Sequence, residues 1–102
     1  MVDKGYKQNS GAIINKQEQT VKLIEQAISE VEVELQLHKQ GAGNNGNESQ
    51  LQRIKEELKI MKDTLNPQKY IPGYSRAIVD SWDLDSKLGL RLLEVVNKYK
   101  KL

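Results

Sequence analysis

The sequence predicts an all-α protein in which an antiparallel helical hairpin is completed by two further helices. Three observations predict this class: two apolar runs at helical spacing, a linker of glycine and asparagine between them, and a third apolar run near the C-terminus. The expected helices span about 15–40, 49–65, 75–82 and 85–101. Together they predict a small three- to four-helix bundle.

The hairpin prediction depends on the spacing of apolar residues. In the second run they recur in alternating steps of three and four, the period that keeps one side of a helix against a partner helix. These residues are Leu51, Ile54, Leu58, Met61 and Leu65. The first run has a similar mean period and comprises Ile14, Val21, Ile24, Ile28, Val31 and Leu35. Residues 41–47 disfavour helix, so the chain is expected to turn there, with a flexible loop over 41–48.

Capping residues predict where the two hairpin helices begin and end. Asn15 starts a capping-box pattern, and Gly41 suits the position that follows a helix C-terminus. Either Asn47 or Ser49 can cap the second helix. Pro67 ends that helix, because proline disfavours helical geometry in the residue before it.

The C-terminal third is expected to cover the end of the first helix, since the second helix is shorter by about two turns. After a turn at 72–73, Ser75 is the expected cap of the short helix, and Asp83 or Asp85 that of the last helix. One broad apolar face follows in the last helix, formed by Leu88, Leu90, Leu92, Leu93, Val95, Val96 and Tyr99.

Burial in the short helix can also be predicted. Ile78 and Val79 are its apolar content and are expected to be largely buried, with Trp82 partly buried at its end. Gly89 lies inside the last helix, where glycine is unfavourable by about 1 kcal/mol relative to alanine. Its presence therefore indicates a close contact between helices.

Length and composition limit the class of protein. A chain of 102 residues has room for one domain, expected over 13–102, with residues 1–12 as a flexible N-terminal tail. There is no cysteine, which excludes disulfides and thiolate chemistry. No apolar stretch reaches the roughly 20 residues needed to span a bilayer, and the start lacks the apolar region of a secretory signal. A cytoplasmic location is expected.

No arrangement typical of catalysis or metal binding is present in the sequence. His38 is the single histidine, and no serine motif places a nucleophile beside it. Asp83 and Asp85 begin a calcium-loop pattern that fails at Lys87 and at Leu88, where glycine is required. The carboxylates are explained more simply by helix capping and an Arg76–Asp80 pair. The expectation is a protein that is not an enzyme and has no cofactor and no metal site.

The last helix carries an excess of positive charge. Its cations form an alternative basic patch, Arg91, Lys98, Lys100 and Lys101. Such a patch is typical of weak binding to nucleic acid or an anionic surface. Cations at a helix C-terminus also offset the macrodipole, a simpler reading that we favour.

The segment 73–83 concentrates tyrosine, arginine and tryptophan, which are enriched at the centres of protein interfaces. It predicts a surface for a protein partner comprising Tyr74, Arg76, Asp80, Trp82 and Asp83. Trp82 has a second interpretation, which we favour: it closes the open end of the hairpin as part of the core, because a chain without phenylalanine needs its large side chains there.

In size, helicity and lack of catalytic groups the chain is similar to small bacterial regulators and to bacteriocin or toxin immunity proteins. No motif carries this similarity, which is one of architecture. The leading hypothesis is a non-enzymatic helical protein that binds another protein, of the immunity or inhibitor type. The alternatives are the basic patch described above and self-association as a homodimer through the exposed seam of the first helix.

Overall fold

The computed structural model describes residues 15–102. Four α-helices and no strand occur in this range: α1 (Lys16–Lys39), α2 (Glu48–Thr64), α3 (Tyr74–Ser81) and α4 (Lys87–Lys100). The predicted all-α class and helical bundle are confirmed. Ile14 and the predicted tail over 1–12 lie outside the described residues.

Helices α1 and α2 form the predicted antiparallel hairpin. Glu25 lies 3.0 Å from Lys62 and Glu32 lies 3.1 Å from Lys55, so the two helices run in opposite directions. Alongside these ion pairs the predicted apolar residues meet in a buried seam. Its members are Ile24, Val31, Leu35, Leu51, Ile54, Leu58 and Met61. The period of three and four therefore identified the inner face of both helices.

The remaining helices close the bundle around α1. Helix α4 packs against α1, and α3 contacts both α2 and α4. Arg91 of α4 contacts Glu30, while Lys98 of α4 lines a recess with Lys16 and Thr20 at the start of α1. Helix α4 is therefore antiparallel to α1. It covers the end of α1 that the shorter α2 leaves open, as the sequence predicts.

The ends of α1 and the start of α2 match sequence expectations. The Asn15 side chain accepts a hydrogen bond from the Glu18 amide at 2.8 Å. Gly41 has a positive φ of 80°, and the amides of Gly41 and Ala42 donate to His38 and Leu37, so α1 ends in a Schellman motif. The side chain that caps α2 is Asn47 rather than the other predicted candidate, Ser49, so α2 begins at Glu48, one residue before the predicted start.

The start of α3 differs from the prediction. Ser75 lies inside the helix, and Gly73 occupies the cap position without any side chain to accept a bond. The acceptor comes instead from α2, where the Glu57 carboxylate accepts from the amides of Gly73 at 3.1 Å and Tyr74 at 3.0 Å. A negative charge at a helix N-terminus is stabilising, so Glu57 both caps α3 and attaches it to α2.

The start of α4 also corrects the prediction. Neither Asp83 nor Asp85 is the cap, because Ser86 takes that position and its hydroxyl accepts from the Gly89 amide at 2.9 Å. A Cβ on Gly89 would lie 3.2 Å from Ser86 Oγ and from the ring of Trp82. The close helix contact expected at Gly89 is confirmed.

None of the helices within 15–102 is both long enough and apolar enough to cross a membrane.

Candidate functional site

Apolar side chains are exposed to solvent where α3 meets α4. Val79 is 59% exposed, Leu84 88% and Leu90 55%, and all three line one recess with the partly buried Leu93. We call these four residues the α3–α4 patch. Its recess has a volume of about 90 Å³ and a floor formed by Ile78, Trp82 and Gly89. The patch is an apolar surface with a single small depression.

The direction in which each side chain points explains why the patch is exposed. Ile78 points into the core, and Val79, the next residue on the helix, therefore points outward. The expectation that Val79 is largely buried is wrong. Leu84 lies in the connection between the helices, and Leu90 lies outside the inner face of α4, so neither has a neighbour that covers it. The predicted apolar face of α4 is thus only partly buried.

Two aromatic residues of the predicted partner surface belong to the core. Tyr74 is 2% exposed, and its hydroxyl donates to the Leu92 carbonyl at 2.9 Å. Burial, together with the negative charge of Glu57, raises the pKa of the Tyr74 phenol. Trp82 is 7% exposed, and its indole N–H donates to Gln50 at 2.8 Å. Trp82 therefore closes the end of the hairpin, as its second interpretation holds, and also forms part of the recess floor.

The charged members of the predicted surface are exposed beside the patch. Arg76, Asp80 and Asp83 all face solvent, and Asp85 joins them in the connection to α4. Within residues 15–102 none of the three aspartates forms an ion pair, so the expected Arg76–Asp80 pair is absent. Capping does not explain Asp83 and Asp85 either, because Ser86 caps α4. These three carboxylates have no partner in the described part of the chain.

Hydrogen bonds from a buried carboxylate and a hydroxyl group hold the hairpin loop next to the start of α4. Glu34 accepts from the amides of Asn44 at 2.6 Å and Asn45 at 2.8 Å. Asn45 also receives a hydrogen bond from the Ser86 hydroxyl at 2.7 Å, which ties the loop to the start of α4. Flexibility of 41–48 stays a prediction. The structure adds that Glu34 and Ser86 hold the loop at its centre.

His38 packs at this end of the hairpin against the loop. Its Nε2 lies 2.7 Å from the Asn45 carbonyl, which can only accept, so Nε2 carries the proton in this contact. A Cβ on Gly43 would collide with the imidazole ring. The glycine at 43 therefore gives the histidine room to reach the loop backbone.

The alternative basic patch does not form one surface. Arg91 lies 3.3 Å from Glu30 and 3.5 Å from Glu94, so its charge is already compensated. Lys98 lines the recess at the start of α1, together with Lys16 and Lys101, whereas Lys100 faces solvent elsewhere on α4. The structure brings two of the four predicted cations together.

A larger recess of about 360 Å³ lies between α1 and α4, and three of its four charged side chains are already engaged. Arg91 bonds to Glu30, and Glu34 bonds to the hairpin loop. Across residues 15–102 no group of three or more histidine, aspartate or glutamate side chains is placed to hold a metal ion.

The surface predicted from the sequence overlaps the segment that carries the exposed patch, but its two aromatic residues, Tyr74 and Trp82, are buried. The prediction missed Leu84 and Leu90 as exposed residues. The available signal was the position of Leu84 between Asp83 and Asp85, since an apolar residue flanked by carboxylates in a connection has no route into a core.

No protein family, no curated protein and no solved structure matches this chain.

Proposed function

We propose that the protein is a non-enzymatic binding protein that acts by holding another protein against the α3–α4 patch, as immunity and inhibitor proteins hold their targets. The single observation that supports this most strongly is the exposure of Val79, Leu84 and Leu90 around one recess. Apolar patches rimmed by polar residues mark interaction surfaces more often than scattered exposed residues do.

The energetics of the patch favour a partner. Fully burying an exposed valine or leucine side chain contributes roughly 1.5–3 kcal/mol. Leu84 makes the largest contribution available, because it is 88% exposed and lies at the centre of the connection between two packed helices. The neighbouring backbone is already held by Ser86 and Asn45, so little further ordering is needed on binding.

The size of the recess favours a protein over a small molecule. Pockets for small ligands usually measure about 300–1,000 Å³. The recess here measures about 90 Å³, which suits one aliphatic side chain of a partner. The nucleic-acid alternative has less support, because Arg91 is engaged by Glu30 and Glu94.

Site-specific photo-cross-linking in the source cells tests this proposal. A photoreactive residue at position 84 should capture a discrete protein, whereas one at Lys59, on the exposed face of α2, should not. Excess purified chain should compete for the captured protein, and a Leu84→Ser/Leu90→Ser variant should compete at least about tenfold less well, a change worth 1.4 kcal/mol. Circular dichroism should show that this variant remains folded, since both side chains are largely exposed.

Equal capture from positions 84 and 59, or no competed protein at position 84, would contradict the proposal. If the captured protein is the chain itself, the function is self-association through the α3–α4 patch. This surface differs from the seam of the first helix considered in the sequence, which α2 and α4 cover.

A further inference from the structure

The partner's chemistry can be inferred from the walls of the patch. Resting on the proposed function, in which this patch binds a protein, we infer that the bound segment is an amphipathic helix with lysine or arginine residues beside its apolar face. Shape, backbone bonding and charge each contribute to this inference.

The shape of the patch suits a helix laid across it. The exposed Leu84 and Leu90 line one recess together with the buried Trp82 and Gly89. One aliphatic side chain of the partner enters the recess, and its neighbours three and four positions away contact the exposed leucines. This is the geometry by which grooves between helices accept an amphipathic helix.

The backbone around the patch excludes the main alternative. A partner bound as an extended strand needs a sheet edge with free N–H and C=O groups. Residues 15–102 contain no strand, and the α3 and α4 backbones are bonded within their own helices. Recognition therefore depends on side chains, which a helix presents along one continuous face.

The charge around the patch selects a basic partner. Residues 79–93, which contain the patch, carry three aspartates and two cations, Lys87 and Arg91, a net charge of −1 in a chain whose net charge is +2. Arg91 is already paired with Glu30 and Glu94. Asp80, Asp83 and Asp85 are exposed and have no ion-pair partner within 15–102. Cations next to the partner's apolar face would meet these carboxylates, and such complementarity raises both the rate of encounter and specificity.

The same charges disfavour a second copy of the chain on this surface. A two-fold interface places the same patch of each copy against the other. Asp80, Asp83 and Asp85 would then approach their own counterparts, and like charges at an interface are destabilising. A partner with the opposite charge avoids this repulsion.

Two synthetic peptides test the inference. Both carry the same leucine face at helical spacing and no tryptophan, but one has lysine and the other glutamate at the flanking positions. Trp82 is the single tryptophan of the chain and lies in the recess floor, so its fluorescence reports occupancy of the patch. We expect the lysine peptide to bind at least about tenfold more tightly, with a preference that falls as salt is added.

Variants connect this preference to the three carboxylates. The combination Asp80→Asn, Asp83→Asn and Asp85→Asn should reduce the preference for the lysine peptide to less than about twofold. The matched control is Glu48→Gln, Glu56→Gln and Asp63→Asn on the exposed side of α2, which should leave the preference unchanged. Leu84→Ser should weaken binding of both peptides.

Three results would overturn the inference: equal or tighter binding of the glutamate peptide, a preference that survives the triple aspartate variant, or a dimer in sedimentation that Leu84→Ser abolishes. If a partner is captured at position 84 but neither peptide binds, the helical basic ligand is wrong while the proposed function stands. If position 84 captures nothing either, both fail.

Discussion

The α1–α2 seam and the α3–α4 patch use the same kinds of side chain, but the chain covers only the first. In the seam Leu58 and Ile54 are buried, and the Glu25–Lys62 and Glu32–Lys55 ion pairs lie along one edge of it. In the patch Leu84 and Val79 remain in solvent.

The charges around the two regions differ in the same way. Carboxylates beside the seam have cationic partners on the neighbouring helix. Those beside the patch have none within 15–102. In the seam, both the apolar side chains and the carboxylates have partners within the chain. In the patch, the exposed apolar side chains and the carboxylates beside them have none within 15–102. The contrast shows that the seam is satisfied within the chain, whereas Val79, Leu84 and Leu90 of the patch remain exposed.

The strongest test of this comparison makes the same substitution, leucine to alanine, in each region. Leu58→Ala should destabilise the protein by about 2–5 kcal/mol, because it leaves a cavity in the seam. Leu84→Ala should change stability by less than about 0.5 kcal/mol, since the side chain is exposed. Urea unfolding measures both, and similar losses for the two variants would show that the patch is part of the core.

A second substitution tests the hairpin loop, which connects the two helices of the seam and contacts Ser86 at the start of α4. Glu34→Ala removes the acceptor for the amides of Asn44 and Asn45 and should cost about 1–3 kcal/mol. Glu32→Ala removes only an exposed ion pair two residues away and should cost less than about 1 kcal/mol. Thermal unfolding of the two variants compares them. A loss from Glu32→Ala as large as that from Glu34→Ala would contradict the anchoring role of Glu34.

Alkaline pH should destabilise the folded protein through the buried Tyr74. Burial raises the pKa of Tyr74 above its ordinary value of 10.0, so the folded protein keeps a proton that the unfolded chain loses above pH 10. Stability is therefore fully present below pH 10 and falls above it by about 1.4 kcal/mol per pH unit for each such tyrosine. Urea unfolding between pH 9 and 11 measures the slope.

The matched variant is Tyr74→Phe, which lacks the ionisable hydroxyl. Its stability should fall less steeply with pH over the same range, although it also loses the hydrogen bond to Leu92. Burial raises the pKa of Tyr70 and of Tyr99 as well, so some slope should remain. An unchanged slope would show that Tyr74 ionises as readily in the folded protein as in the unfolded chain.

The smallest expected effect concerns the cap of α3, the helix that contains Val79 of the patch. Glu57→Ala should cost about 0.5–2 kcal/mol, the usual range for losing a helix cap. Ser75→Ala should have almost no effect, because Ser75 lies inside the helix rather than at its cap. Chemical denaturation distinguishes them, and the reverse order of losses would restore the cap predicted from the sequence.

The hairpin was predictable because its determinants lie close together in sequence. The positions of Leu58 and Met61 follow from a repeated spacing, and Asn15 and Gly41 act on residues next to them. The cap on α3 was not predictable in this way. Glu57 lies 16 positions before Gly73, so only the packing of α2 against α3 brings them together.

The patch was predicted only in part for a related reason. An eight-residue helix has too few apolar residues to fix which of two neighbours points inward, and Ile78 rather than Val79 takes that position. At the start of α4, Asp83, Asp85 and Ser86 are all good capping residues, and the sequence alone does not choose among them. The bond from Ser86 to Asn45, which involves another loop, distinguishes Ser86.

The contact between Arg91 and Glu30 joins residues 61 positions apart, and it bears on the order in which the protein folds. Closing this contact spans more than twice the chain length of the Glu32–Lys55 contact, so it costs on the order of 1 kcal/mol more in loop-closure entropy. We therefore expect the hairpin to form early and α4 to dock last. The α3–α4 patch includes Leu90 and Leu93 of α4, so it forms only once α4 has docked. A partner that binds the patch would therefore bind fully folded molecules and not incompletely folded chains.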